Sequence, residues 1–144
     1  MKTLIILFLS ILPWGDYSNF QSSISLNGKW TLIYFHDLTT DAKSFRPFNY
    51  PIGALTFTFL DNGSTGKLEG VTTANKVSGE YQLYESEIEV KRFGGTKIAE
   101  NGWGGNFWQT ISSSSSFKLE KDTLRIFFNN DSNIMVFANA EQKK

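Results

Sequence analysis

The chain has 144 residues, enough for one domain with a sizeable core, and 40% of them are hydrophobic, which excludes a disordered chain. Lys+Arg and Asp+Glu both number 14, so no basic block marks a nucleic-acid or anionic-membrane surface. There is no Cys, which removes disulfides, thiolate catalysis, zinc–thiolate sites and an acylated lipoprotein anchor.

The first residues read as an export signal. Met1-Lys2 is a short positive start, and residues 3–12 (TLIILFLSIL) are an apolar run of signal-peptide length. A helix crossing a bilayer needs roughly 20 such residues. Pro13-Trp14-Gly15 breaks the run, and cleavage is expected within residues 14–22. The other reading is a buried terminal element of the domain. The run has no polar face to meet water, which favours the signal. Residues 1–20 are therefore expected to be a signal peptide and 21–144 the mature domain, exported to the periplasm or secreted, with no transmembrane span.

Strand patterns follow. Ile24, Leu26, Trp30, Leu32 and Tyr34 fall on even positions with Ser25, Lys29 and Thr31 between them, entered through a turn at Asn27-Gly28. Residues 36–51 are polar, with Phe45, Phe48 and Tyr50 interspersed. Pro47 and Pro51 oppose regular pairing, so a long loop with an apolar lip is expected. Leu55, Phe57 and Phe59 alternate with threonines, and residues 61–66 are a turn cluster. Strands are expected at 67–73 and 79–84. Ile88 and Val90 alternate with Glu87, Glu89 and Lys91, a strand with one wet face.

After Gly94-Gly95 the period changes. Trp103, Phe107, Trp108 and Ile111 have helical spacing. Gly102, Gly104 and Gly105 weaken the start, so a short helix from about residues 104–106 is expected. The serine run 112–116 reads as its exit into a turn. Strands at 117–120, 124–129 and 134–139 close the chain, with hairpin turns at Lys121-Asp122 and residues 130–133. About eight strands and one late helix imply a mainly β fold: a single antiparallel barrel or half-barrel with the helix closing one end. Such an interior is filled by side chains or holds one small ligand.

Several motifs resemble those of the META/HslJ-like family of small envelope proteins. Leu26-Asn-Gly-Lys-Trp30-Thr-Leu is similar to its first strand and Leu55-Thr-Phe-Thr-Phe59 to its second. Gly70-x4-Asn75-x2-Ser78-Gly79-x-Tyr81 is similar to its most recognisable turn. Ile88-Glu-Val90, Thr96-Lys-Ile-Ala99, the segment around Phe107 and Leu124-Arg-Ile126 follow in the family's order. The resemblance spans residues 25–138 and implies a binding, assembly or stress-related module rather than an enzyme. Ala74 stands where family members often have Cys, and Gly102-Trp-Gly-Gly105 interrupts the usual acidic opening of the helix. The Gly28-x-Trp30 signature also resembles lipocalin-like proteins, which implies an alternative: a carrier of a small apolar ligand.

Catalytic readings are weak. His36 is the chain's one histidine, and Asp37 beside it on a strand points to the other face, so it could not easily orient the ring. Glu85, Glu87 and Glu89 share one face opposite Ile88 and Val90 and read as solvated, not as paired glycosidase carboxylates with Glu80. The loops around Asp61 and Asp131 lack a calcium-ligand series. No catalytic residue, metal site or cofactor is expected. Asn75, Gly79 and Tyr81 are read as a structural turn. Asn75 is expected at positive φ, bonded to its neighbours; Gly79 marks a bulge or close approach; Tyr81 caps the core. Trp30, Phe57, Phe59, Trp103, Phe107 and Trp108 are the ligand-binding candidates, lining the barrel or its mouth. Trp103, flanked by glycines, is either a plug over an open barrel end or an exposed recognition anchor, and the plug is favoured. The expected partner is an envelope protein or a small apolar ligand.

Overall fold

In the computed structural model, which describes residues 24–141, nine antiparallel strands form one sheet that closes on itself. The expected export signal over residues 1–20 lies outside the described residues. The strands are β1 (Gly28–Asp37), β2 (Ala42–Phe45), β3 (Thr56–Asp61), β4 (Thr65–Val71), β5 (Lys76–Tyr84), β6 (Glu87–Gly95), β7 (Ser114–Glu120), β8 (Thr123–Phe128) and β9 (Asn133–Asn139). One helix, α1 (Gly102–Thr110), runs into a 3-10 turn at Ile111–Ser113. Strands β3 to β9 follow in order, and β9 pairs with β1 from Trp30↔Asn139 to Asp37↔Asn133. The first half of β1 pairs with β3 and the second half with β2, so β2 is an addition outside the eight-stranded barrel.

Period-two alternation builds the interior. Trp30 and Leu32 of β1, Phe57 and Phe59 of β3, Tyr81 of β5 and Phe137 of β9 all point inward and are buried. Full burial of one large apolar side chain stabilises by roughly 1.5–3 kcal/mol. Register shifts at Leu32/Tyr34 and between β5 and β6 at Glu80/Tyr81 bend these strands toward closure.

The barrel has one loose seam. β6 pairs with β7 only at Glu87↔Ser116 before the strands diverge. Helix α1 fills the gap with its aromatic face. Phe107 stacks on Phe57 with centroids 4.2 Å apart, and Phe93 meets the edges of Phe107 and Trp108 at 5.9 and 5.1 Å. Trp103 closes the end above them. Its ring lies edge-on to Phe35 at 5.0 Å, and its Nε1–H donates to Ser44 Oγ at 3.3 Å. The plug reading of Trp103 holds, because the residue is buried.

Three local expectations change. The 36–51 loop contains β2, whose four residues are all exposed and so carry no alternation to read. The helix starts at Gly102, ahead of the expected 104–106; the packing of Trp103 and Phe107 outweighs the weak propensity of its glycines. The serine run divides. Ser112 and Ser113 complete the 3-10 turn, while Ser114 opens β7.

Candidate functional site

The barrel end beside α1 is organised by the turn between β4 and β5. Thr72 and Asn75 close it: the Thr72 N–H donates to the Asn75 carbonyl at 2.9 Å, and the Asn75 N–H donates to Thr72 Oγ1 at 3.1 Å. Both residues are buried. The Asn75 side chain then reaches across the rim. Its Oδ1 accepts from the Ile98 N–H at 2.8 Å and from Thr96 Oγ1 at 3.0 Å, and its Nδ2 donates to the Ile98 carbonyl at 2.9 Å. Every hydrogen-bonding group of the amide is occupied, and the strap of residues 96–101 between β6 and α1 is fastened to the turn. Asn75 is not at positive φ. Its contacts are long-range, not the local ones expected, because the turn is closed by Thr72 and leaves the amide free to bridge.

Glu100 completes the rim. One oxygen, Oε2, accepts from Thr72 Oγ1 at 2.6 Å and Asn75 Nδ2 at 2.7 Å. The other, Oε1, accepts from the Thr73 N–H at 2.6 Å, the Ala74 N–H at 3.0 Å and the Thr73 hydroxyl. Burial pushes this carboxyl up, but the donors from Thr72, Thr73, Asn75 and Ala74 outweigh it and hold it below its ordinary value. The carboxylate also sits just before α1, where the positive end of the helix dipole favours it. A carboxylate saturated this way is a poor base and a poor metal ligand. Among the described residues, no three His, Cys, Asp or Glu side chains converge on a point that could hold a metal ion.

Beside this network lies a surface hollow of about 460 Å³, lined by Asn75, residues 96–100, Gly105, Trp108 and Gln109. Trp108 forms its apolar wall and the Asn75 and Glu100 groups its polar floor. Of the six aromatic candidates, Trp108 reaches this hollow. Trp30, Phe57, Phe59 and Phe107 are core, and Trp103 is the plug. Gly79 sits in β5, where a Cβ would come within 2.6 Å of the Arg92 carbonyl, so the close approach of β5 and β6 requires glycine there. Tyr81 lies in the core with its hydroxyl donating to Asp61 Oδ2 at 2.7 Å.

His36 pairs with Asp41 at 2.7 Å, while Asp37 caps its own turn through the Thr39 and Thr40 N–H groups. Asp37 therefore does not orient the ring, as expected for neighbours on a strand. Glu85, Glu87 and Glu89 are exposed. Sequence reasoning missed Glu100, because an acid beside a glycine-rich segment reads as a solvated charge. Its available signal was position: the one acid between the last β6 residue and a glycine-rich helix start, with a Thr-Thr-x-Asn turn elsewhere in need of an acceptor.

This rim, in which a β4–β5 turn is fastened through an Asn to the segment before the helix, is built on the Gly-x4-Asn-x2-Ser-Gly-x-Tyr sequence, and the chain matches the META domain family over residues 23–142. The protein belongs to the META domain family. Two solved structures are similar in fold. One is the NMR structure of a protein from Burkholderia xenovorans, with 18% identity and a TM-score of 0.56 over 81% of this chain and 83% of that one. The other is the crystal structure of a DUF4847 family protein from Bacteroides vulgatus ATCC 8482, with 14% identity and a TM-score of 0.58 over 83% and 97%. At these identities they speak for the fold alone. No curated protein matches this META-domain chain significantly.

Proposed function

We propose that this META-domain protein is an exported, non-catalytic interaction module of the envelope, periplasmic or secreted, working through its surface on another envelope protein. The observation that carries the reading is the filled barrel. Phe57 and Phe107 stack at 4.2 Å at its centre, and Phe137 meets both edge-on at 6.3 and 6.5 Å. Those rings occupy the space in which a carrier would hold its ligand. The hydrogen-bonded state of Glu100 supports the non-catalytic part, since its oxygens already serve the turn.

Native mass spectrometry of the protein purified from the envelope tests the reading. The expected spectrum shows a chain shortened by cleavage within residues 14–22, with no small apolar molecule attached. A co-purified lipid would replace the interaction module with the lipocalin-like carrier. A full-length chain recovered from the cytoplasm would remove export.

A further inference from the structure

The β2 strand has one neighbour. Its register with β1 pairs Phe35 with Ser44 and Asp37 with Ala42, and the Arg46 N–H donates to the Ile33 carbonyl at 2.9 Å. In an antiparallel ladder, alternate residues turn their backbone groups to opposite sides. Ala42, Ser44 and Arg46 therefore face β1, and Lys43 and Phe45 aim their N–H and C=O groups away from the barrel. Among the described residues no strand pairs with that outer edge, and no turn or loop backbone group bonds to it.

The edge is held ready. Ser44 Oγ accepts from the buried plug Trp103, and the Phe45 ring rests 5.3 Å from that of Tyr34, so the strand is extended before anything binds. Exposed apolar side chains stand on the strand and on the loop that follows it. Phe45 is 65% exposed, and Phe48 and Ile52 on the following loop are fully exposed. Two basic groups stand here, with the Lys43 ammonium 5.9 Å from the Tyr34 ring and the Arg46 guanidinium donating to the Pro51 carbonyl at 3.2 Å, while Asp41 lies close enough to Lys43 to feel its charge. The nearby Asp41 is engaged with His36.

A short edge strand bearing lysine is also how proteins prevent edge-to-edge aggregation. Protection alone does not account for Phe45 standing in water on the edge strand, with Phe48 and Ile52 exposed on the loop after it. We propose that β2 is a strand-addition site for an extended segment of a partner protein. The segment pairs antiparallel with β2 through the outward groups of Lys43 and Phe45, sets an apolar side chain against Phe45 and places a carboxylate near Lys43. Lys43 in this scheme opposes pairing of two copies through β2 and favours an acidic partner. The inference rests on the interaction-module reading and names its surface.

The test uses the full-length protein and a randomised heptapeptide library, with backbone amide exchange followed by NMR on the peptides selected. Selected peptides are expected to carry an apolar residue and a carboxylate two positions apart and to slow exchange at the Lys43 and Phe45 amides. Lys43→Glu, a surface change, is expected to weaken them about tenfold. Phe45→Pro removes an outward N–H not used by β1 and is expected to abolish binding, with its circular dichroism checking the fold. Library binders that protect amides elsewhere, or a library without binders, would overturn the site. So would self-association through β2 in sedimentation, or binding only to mixed phosphatidylcholine–phosphatidylglycerol vesicles through Phe48 and Ile52. Binders elsewhere on the surface would leave the interaction-module reading standing, whereas a co-purified lipid in the mass spectrum would remove that reading itself.

Discussion

Asn75 and Glu100 lie 25 residues apart in the chain and meet at the barrel rim, where Asn75 Nδ2 donates to Glu100 Oε2 at 2.7 Å. Around that one bond the two side chains divide the work. The amide holds the strap after β6, and the carboxylate holds the turn before β5. The helix that plugs the barrel is thereby tied at its start to the neighbouring β4–β5 turn.

Removing the carboxylate should loosen this end of the barrel. Hydrogen bonds to charged groups contribute about 1.5–3 kcal/mol each, and they share one desolvation cost here. Glu100→Gln keeps one acceptor oxygen and is expected to lower stability by about 2 kcal/mol. Urea unfolding should show a lower midpoint with an unchanged slope. The pH dependence has a definite sign. The folded carboxyl titrates below its ordinary value of 4.5, so the unfolded chain takes up the proton first as pH falls. The stabilisation from this site is complete above that ordinary value and is lost as pH drops through the folded one. Glu100→Gln should therefore show a shallower loss of stability than the parent chain below about pH 4.5. A variant with the same acid profile as the parent would show that Glu100 is not so held.

Gly104 makes room for that carboxylate. A Cβ there would collide with Glu100 Oε1 and come within 2.6 Å of Thr73 Oγ1. In a free helix Gly→Ala gains about 1 kcal/mol. Gly104→Ala is expected to destabilise instead, by about 1–2 kcal/mol, because the carboxylate must leave its donors. In a Glu100→Ala background the same change should become neutral or stabilising. The four proteins form a double-mutant cycle, and additivity within about 0.5 kcal/mol would dispose of the coupling.

What could be read from the chain, and what could not, follows from the same geometry. Phe57 and Phe59, or Ile88 and Val90, declare their strands because one face is buried and the other is wet. β2 has no buried residue, so its pairing with β1 leaves no mark on hydrophobicity. The start of α1 was hidden by Gly104 and Gly105, which are present for close approach to Glu100, not for helix propensity. The turn sequence around Asn75 identified the fold, but its partner lay across the rim. A contact of that range leaves no periodicity to find.

The stacked rings at the centre of the barrel predict a graded loss. Phe107 is fully buried against Phe57, with Phe93 and Phe137 at its edges. Phe107→Ala is expected to cost about 3–5 kcal/mol, a large share of the stability of a domain this size. Phe107→Leu keeps most of the volume and should cost less than about 1.5–2 kcal/mol. Equal and small effects for the two would mean that the interior is not tightly filled around Phe107, and would reopen the carrier reading.

Tyr81 offers a last measurement in the alkaline range. Burial first, and then its bond to Asp61, push the phenol well above its ordinary value of 10.0. Ultraviolet titration should find that Tyr81 stays protonated well above the ordinary range of a phenol in the folded chain. The folded state holds this proton more tightly than the unfolded one. The contribution to stability is complete below pH 10 and declines as pH rises above it. Tyr81→Phe removes a donor from Asp61 Oδ2, which keeps the Leu26 N–H at 2.9 Å, while Oδ1 keeps the Gly63 N–H at 2.8 Å. The cost at neutral pH is expected to be about 1–2 kcal/mol, and the fall in stability above pH 10 should flatten in this variant. If the Tyr81 phenol ionises reversibly near its ordinary value in the folded protein, its hydroxyl is reached by water and its bond to Asp61 does not hold.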